Sequence, residues 1–249
     1  MMTKLCYNKL THKLWLFVGA GAMKDFLSTL NICKNVDNFV DYYSLLVEYA
    51  KKFNITAITE KKDVAIKHFK DSLAGLGLLP DGARVIEIGS GGGFPSVPLK
   101  IENKTLDFTL CEATLKKCEF LKVVGNTLGF ENFTVLNARA EELGQDSALR
   151  ESFDAAVARA VAPLNVLSEL MLPLVKTGGR VIAYKGQNYK EELEISQDAI
   201  KTLGGHVERL VEYDLGGDVG KRCLVVIKKE RQTPLKYPRA YAKIKKCPL

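Results

Sequence analysis

The stretch Glu87-Ile-Gly89-Ser-Gly91-Gly-Gly93-Phe94-Pro95 holds the clearest chemical potential of this chain. It follows the apolar run Arg84–Ile88 and precedes a helix that starts near Ser96, so it reads as strand, glycine turn, helix. Glycines this closely spaced let backbone approach a ligand where any side chain would block it. At the carboxyl end of a strand in an α/β sheet, the expected ligand is an adenosine-containing cofactor. A nicotinamide turn asks for G-x-G-x-x-G, and counting from Gly89 puts Phe94 in the third glycine's place. The pattern present is instead an acid, one residue, then G-x-G-x-G.

The S-adenosylmethionine sites of the seven-strand methyltransferase fold resemble this pattern, and Gly89, Gly91, Gly93 and Phe94 become candidate cofactor contacts. Glu112, at the end of the second apolar run, is placed to accept hydrogen bonds from both ribose hydroxyls, since a carboxylate offers only acceptors. A surface acid at a strand end is the plainer reading of it. Glu141 beside Ala140, after the third run, suits an adenine pocket or simply a favourable acid at a helix start. After the fourth run comes Val157-Ala-Arg159-Ala-Val-Ala-Pro163, without the Asn/Asp-Pro-Pro-Tyr of many amino-methylating enzymes and without a cysteine nucleophile. A target that needs neither deprotonation nor covalent activation fits, such as an aromatic ring nitrogen with an in-plane lone pair. Catalysis is then positioning. Arg159 is a candidate contact to cofactor, base or phosphate, or else an ion pair at the sheet edge.

The elements that must hold these residues follow from periodicity. Apolar positions recur at helical spacing over Asp37–Phe53, with Asp37 as the expected cap, and again over Lys62–Leu73. Gly75, Gly77 and Pro80-Asp-Gly82 then break the pattern. Beyond them strand-like runs alternate with helical segments, which predicts a parallel sheet covered on both faces. Val207–Tyr213 and Arg222–Ile227 lie either side of a Gly216-Gly217-Asp218 turn with no helix between, a closing hairpin. The expected fold is α/β: a seven-stranded Rossmann-like methyltransferase sheet with helices on both faces, a C-terminal β-hairpin and a small N-terminal helical extension. Its expected divisions are residues 1–22 as an extension upstream of a start at Met23, 23–80 as a helical region, 81–229 as the methyltransferase domain and 230–249 as a basic tail.

The formal net charge of +7 is concentrated. From Lys228 to Leu249 stand eight bases (Lys228, Lys229, Arg231, Lys236, Arg239, Lys243, Lys245 and Lys246) against the single acid Glu230, which accounts for the whole excess. A basic tail on a neutral body points to a polyanion or to a solvated segment. The six cysteines form no C-x-x-C pair and the three histidines are widely spaced, so no metal site is expected and the thiols suit a reducing cytoplasm. Lys4, Lys9 and Lys13 before Leu14–Ala22 look superficially like a short signal peptide, but the apolar core is barely long enough. No run approaches the roughly 20 apolar residues of a membrane span.

From about Asp37 to the C-terminus the chain resembles the RsmG ribosomal RNA methyltransferases, also called glucose-inhibited division protein B. The matching pieces are Phe53-Asn-Ile-Thr-Ala-Ile-Thr59, His68-Phe-Lys-Asp-Ser72, Glu87–Pro95, Arg139-Ala-Glu-Glu142, Ala158–Asn165, Lys185-Gly186 and Thr233-Pro-Leu-Lys-Tyr-Pro-Arg239 with a closing Pro-Leu. The resemblance implies transfer of a methyl group from S-adenosylmethionine to guanine N7 in the decoding-region loop of 16S rRNA, as free RNA or within a small-subunit precursor. It implies a cytoplasmic enzyme, expected to be a monomer, with no membrane or metal partner. The runner-up is a methyltransferase of the same fold acting on another RNA or a small molecule. Carried onto this chain, the family's cofactor contacts fall on Gly89, Phe94, Ala140, Glu141 and Arg159. His68 and Asp71, one helical turn apart, become candidates for the guanine pocket or for a packed histidine–acid pair, and Lys185 with the tail bases for the RNA backbone. Two positions depart from the family pattern: Glu112-Ala113 replaces aspartate-serine, and Tyr49-Ala50 replaces tryptophan-asparagine.

Overall fold

The computed structural model describes residues 23–28 and 34–249, so the upstream extension expected over 1–22 lies outside the described residues. Strands β1 (Arg84–Ile88), β2 (Asp107–Glu112), β3 (Phe133–Asn137), β4 (Phe153–Arg159), β5 (Val175–Lys185), β6 (Gly205–Asp214) and β7 (Lys221–Lys229) form one sheet in the order β3-β2-β1-β4-β5-β7-β6. The first five strands pair in parallel; β7 runs antiparallel to both β5 and β6, which is the predicted closing hairpin. Strand order reverses between β1 and β4. Beyond their carboxyl ends the connecting loops must part, and a crevice opens there.

Side chains alternate across a strand, and here both faces are apolar. Ala155 and Val157 of β4, with Ile182 of β5, belong to one core, while Ala156, Ala158, Val181 and Ala183 belong to the other. The first core is covered by α1 (residues 23–28), α2 (Val36–Ala50), α3 (residues 61–73), α4 (Ser96–Glu102) and α5 (Leu115–Thr127). Phe39, Tyr42 and Phe69 pack there with Val85 and Phe108, so the N-terminal helices share one core with the sheet. The second core is covered by α6 (Ala140–Leu143), α7 (Leu164–Met171), α8 (Tyr189–Thr202) and α9 (Tyr241–Lys246).

One local outcome differs from the sequence expectation stated above, and two more have plain physical causes. Asp37 lies in the first turn of α2 and pairs with Lys24 at 2.7 Å, and it is Glu102 of α4 that accepts the Lys34 and Asn35 N–H groups ahead of that helix. The helix begun at Leu164 stops at Met171 and tightens into a 3₁₀ turn, Leu172–Leu174, because Pro173 has no N–H to continue it. Strand β5 starts at Val175, ahead of a Thr177-Gly178-Gly179 sequence that looks like a turn; a Cβ at Gly179 would lie 2.5 Å from the Asp154 carbonyl oxygen, so glycine lets the strands meet.

The C-terminal segment departs furthest from expectation, since it is folded into the body. Lys229 is fully buried: its Nζ donates to Leu172 O and Thr233 Oγ1 and pairs with Glu151 at 3.0 Å. Burial lowers its ammonium to about 8, with Glu151 pulling the other way. Arg239 donates through Nε and Nη2 to both oxygens of the fully buried Glu169, at 2.8 and 2.5 Å. Lys228 and Arg231 donate to the Gly178 and Lys201 carbonyls. Arg150 reaches the carbonyls of Gly144, Thr233 and Tyr237, and Ile244 of α9 is fully buried. Lys229 and Arg239 are therefore structural cations and not RNA contacts; a charge count cannot tell a buried lysine from a solvated one. Lys236, Lys243, Lys245 and Lys246 remain exposed. Arg239→Ala leaves the Glu169 carboxylate buried without its cation and should cost about 3 kcal/mol of unfolding free energy, read from urea denaturation; an unchanged midpoint would show that this pair holds nothing.

Candidate active site

Two loops meet at the strand reversal. Leaving β1, Gly89, Gly91 and Gly93 all have positive φ, +67°, +55° and +93°. A Cβ at Gly89 would lie 2.8 Å from Val161 Cγ2, so this glycine lets the β1 loop rest on the loop after β4. At Gly91 a Cβ would meet nothing closer than the Gly89 carbonyl oxygen at 3.8 Å, so that side of the turn faces open space. In the loop after β4, Ala160 also sits at positive φ, +57°, unusual without glycine. It lies between Arg159, which lines one cavity, and Val161, which lines another.

The smaller cavity, of about 130 Å³, lies over the ends of β1, β2 and β3. Gly89, Glu112, Ala140 and Glu141 all line it, with Val161, Leu170 and Tyr241. Glu112 Oε2 accepts the Gly91 N–H at 2.9 Å and Oε1 accepts the Thr114 N–H at 2.8 Å. The glycine turn is thus tied to the end of β2, and each carboxylate oxygen retains acceptor capacity. Glu141 stands in the first turn of α6 and on the cavity wall, so both readings of it hold together. Cys111 is no nucleophile: its thiol donates to Ala138 O, and burial pushes it up to about 12. Under the turn, Glu87 is fully buried; Oε2 accepts the Ser96 hydroxyl at 2.5 Å, while Oε1 has no partner among the described residues.

The larger cavity, of about 510 Å³, lies between α3 and the ends of β4 to β7. His68, Asp71, Arg159 and Lys185 line it together, as do Tyr184, Tyr213 and Arg222. The middle of α3, Val64–Lys70, is π-helical, an irregularity frequent at functional sites. Arg159 Nη1 donates to Lys67 O at 2.7 Å and to Asp71 Oδ2 at 2.8 Å, and its Nη2 lies 3.0 Å from His68 Nδ1. Nδ1 lies 3.2 Å from Lys67 O as well, but a guanidinium only donates, so the shorter Arg159 contact makes Nδ1 the acceptor and leaves Nε2–H to donate to Thr56 Oγ1 at 3.0 Å. Burial, and then the Arg159 charge, lower His68 to about 3, which keeps it neutral. Tyr213 Oη donates to Asp71 Oδ1 at 2.7 Å. Phe94 stacks on His68 at 4.3 Å and lies under the Arg159 guanidinium, so it joins the turn to this network instead of lining the smaller cavity.

Lys185 is a correction. It is 7% exposed, and its Nζ donates to Ala162 O at 2.8 Å and to Glu192 Oε2 at 2.6 Å. It fastens the β4 loop to α8, with two of its three Nζ donors held by the protein. Sequence reasoning also missed Thr56, Tyr184, Tyr213, Arg222 and Tyr241; only Thr56 carried a signal, as a member of the Phe53–Thr59 motif. The departure at Tyr49 is absorbed by packing, with Phe120 at 5.2 Å and Phe53 at 6.0 Å.

A glycine turn over the reversal of a seven-stranded sheet with an antiparallel penultimate strand defines a Rossmann-like methyltransferase fold. Solved structures similar in fold include Trm5b from Pyrococcus abyssi (TM-score 0.54, 12% identity, 72% of this chain and 52% of that one) and M. jannaschii TYW2 in complex with AdoMet (TM-score 0.52, 13% identity, 64% and 73%). The family described as GidB: rRNA small subunit methyltransferase G matches residues 35–218. Proteins named ribosomal RNA small subunit methyltransferase G are 45% identical in Thermoanaerobacter sp. strain X514 (217 residues, 86% of this chain, 90% of the relative) and 43% identical in Lactococcus lactis subsp. cremoris strain MG1363 (220 residues, 87% and 92%). The chain belongs to this family.

Two outcomes test the site. Gly91→Val places a branched side chain in the open space of the turn, at a φ that valine rarely adopts; it should abolish S-adenosylhomocysteine binding by calorimetry, and retained affinity would make the turn purely structural. Burial raises the Glu87 carboxyl from 4.5 to about 7, against the hydroxyls of Ser96 and Ser90. The folded protein then holds a proton that the unfolded chain has lost, so this group's contribution to stability falls as pH rises from about 4.5 to about 7. Without ligand, Glu87→Gln should melt higher than the parent above about pH 7 and level with it near pH 5; identical melting at both would contradict a buried, protonated Glu87.

Proposed function

We propose that this enzyme transfers the methyl group of S-adenosylmethionine to the N7 of a guanine in 16S rRNA. Family membership supports ribosomal RNA as the acceptor. The observation that carries the choice of atom is the closed network around Arg159: the imidazole, carboxylate and phenol nearest the larger cavity already hold one another, and none is placed as a general base. Guanine N7 needs none, because its lone pair lies in the ring plane at neutral pH.

S-adenosylmethionine supplies an electrophilic methyl group when bound. The residues present fit it: Gly91 leaves space against backbone, Glu112 offers two acceptors for ribose hydroxyls, and the unpartnered Oε1 of Glu87 suits a cationic amino group. Arg159 and His68, backed by Phe94, form a rigid wall that orients a base toward the turn, so the rate comes from alignment. Lys67 and Arg222 on the larger cavity, with exposed Lys236, Lys243, Lys245 and Lys246, attract the phosphate backbone. The expected substrate is 16S rRNA or a small-subunit precursor, met in the cytoplasm by a monomer, and direct attack by N7 calls for no metal. Among the described residues no helix is long and apolar enough to cross a membrane.

Mapping N7-methylguanine in rRNA from a strain lacking the gene tests the proposal. One such modification should vanish from 16S rRNA and return on complementation; an unchanged 16S pattern would overturn it.

A further inference from the structure

The C-terminal segment reaches the cofactor side of the molecule. Tyr241, the first residue of α9, lines the 130 Å³ cavity that also holds Gly89, Glu112 and Glu141. Tyr241 and Val161 are shared with a neighbouring cavity of about 500 Å³, into whose wall the same helix sends Lys245. We infer that Tyr241 is a binding residue for the adenosine end of the methyl donor, which makes the C-terminal segment part of the cofactor site. The inference rests on the reading of the smaller cavity as the donor site.

The chemistry of the walls supports this. Glu112 and Glu141 bring carboxylates and Arg139 a cation, while Val161, Leu170 and Tyr241 bring apolar surface. A purine nucleoside has that division: polar edges and ribose hydroxyls, with apolar ring faces that aromatic side chains accept well. The tyrosine is also held in place before any ligand arrives. It packs against the second core, Ile244 three residues on is fully buried, and Arg239 two residues back grips Glu169 through its backbone N–H and its guanidinium. Gln145 adds a hydrogen bond to Pro238 O at 2.7 Å. A wall residue ordered in advance loses little freedom on binding, so its contact carries through to affinity.

Calorimetry with two probes, S-adenosylhomocysteine and 5′-methylthioadenosine (which lacks the amino-acid end), tests the assignment. Tyr241→Ala should weaken both by the same factor, about tenfold, while Tyr241→Phe stays within about twofold of the parent. Tyr241→Ala binding both probes within about twofold would overturn the inference. If the parent protein itself binds neither probe, the reading of the cavity fails and the assignment of Tyr241 falls with it, whereas loss confined to the parent-to-variant comparison bears on Tyr241 alone. Hydrogen exchange on the unaltered protein gives a second reading that needs no variant to fold. Amides of residues 241–246 should slow when S-adenosylhomocysteine saturates the protein, and exchange there that ignores the ligand would equally overturn the assignment.

Discussion

The guanidinium of Arg159 is the constraint on which the rest of the site depends. It stands at the end of β4, where strand order reverses, and its donors go to Lys67 O, Asp71 and His68 on α3. Asp71 is 5% exposed and would be a costly isolated charge without it. One cation thus fixes a helix from the N-terminal region over the sheet, sets the tautomer of His68, and presses its planar face toward Phe94 of the glycine turn. Three of the five Arg159 donors are engaged by the protein, so at most two remain for a substrate.

The two cavities follow from the same reversal. Ala160 at positive φ separates Arg159 from Val161, and Gly89 has no side chain so that Val161 can sit against it. One cavity therefore offers two carboxylates, Arg139 and apolar walls, and the other offers rings and cations around Asp71. On the function proposed above, methyl donor and acceptor meet across one short loop. The C-terminal segment completes the first cavity, so bases that looked like a solvated tail contribute first to folding.

Much of this was legible before the structure. The β1 boundaries, the glycine turn, the hairpin, Glu112 and Arg159 follow from local patterns whose meaning does not depend on distant residues. His68 and Asp71 were legible as a pair because three residues on a helix share a face, although the π-helical winding was not. Lys185, Lys229 and Arg239 were misjudged for a common reason. Their acceptors, Glu192, Glu151 and Glu169, are close in space but unrecognisable as partners in sequence, and a charge run reads as solvated until burial is known. Tyr184, Tyr213 and Tyr241 look like ordinary core aromatics along the chain; only the sheet, and for Tyr241 the docking of α9, brings them to the crevice.

The central claim is that this site works by alignment, with no side chain passing a proton. The most direct measurement is the single-turnover rate of methyl transfer to 16S rRNA, with donor and RNA saturating, across about pH 6 to 9. A locked neutral His68 and an acceptor nitrogen with a free lone pair predict a flat profile over that range. A tenfold change in rate per pH unit over any part of it would reveal an essential proton transfer and contradict the account.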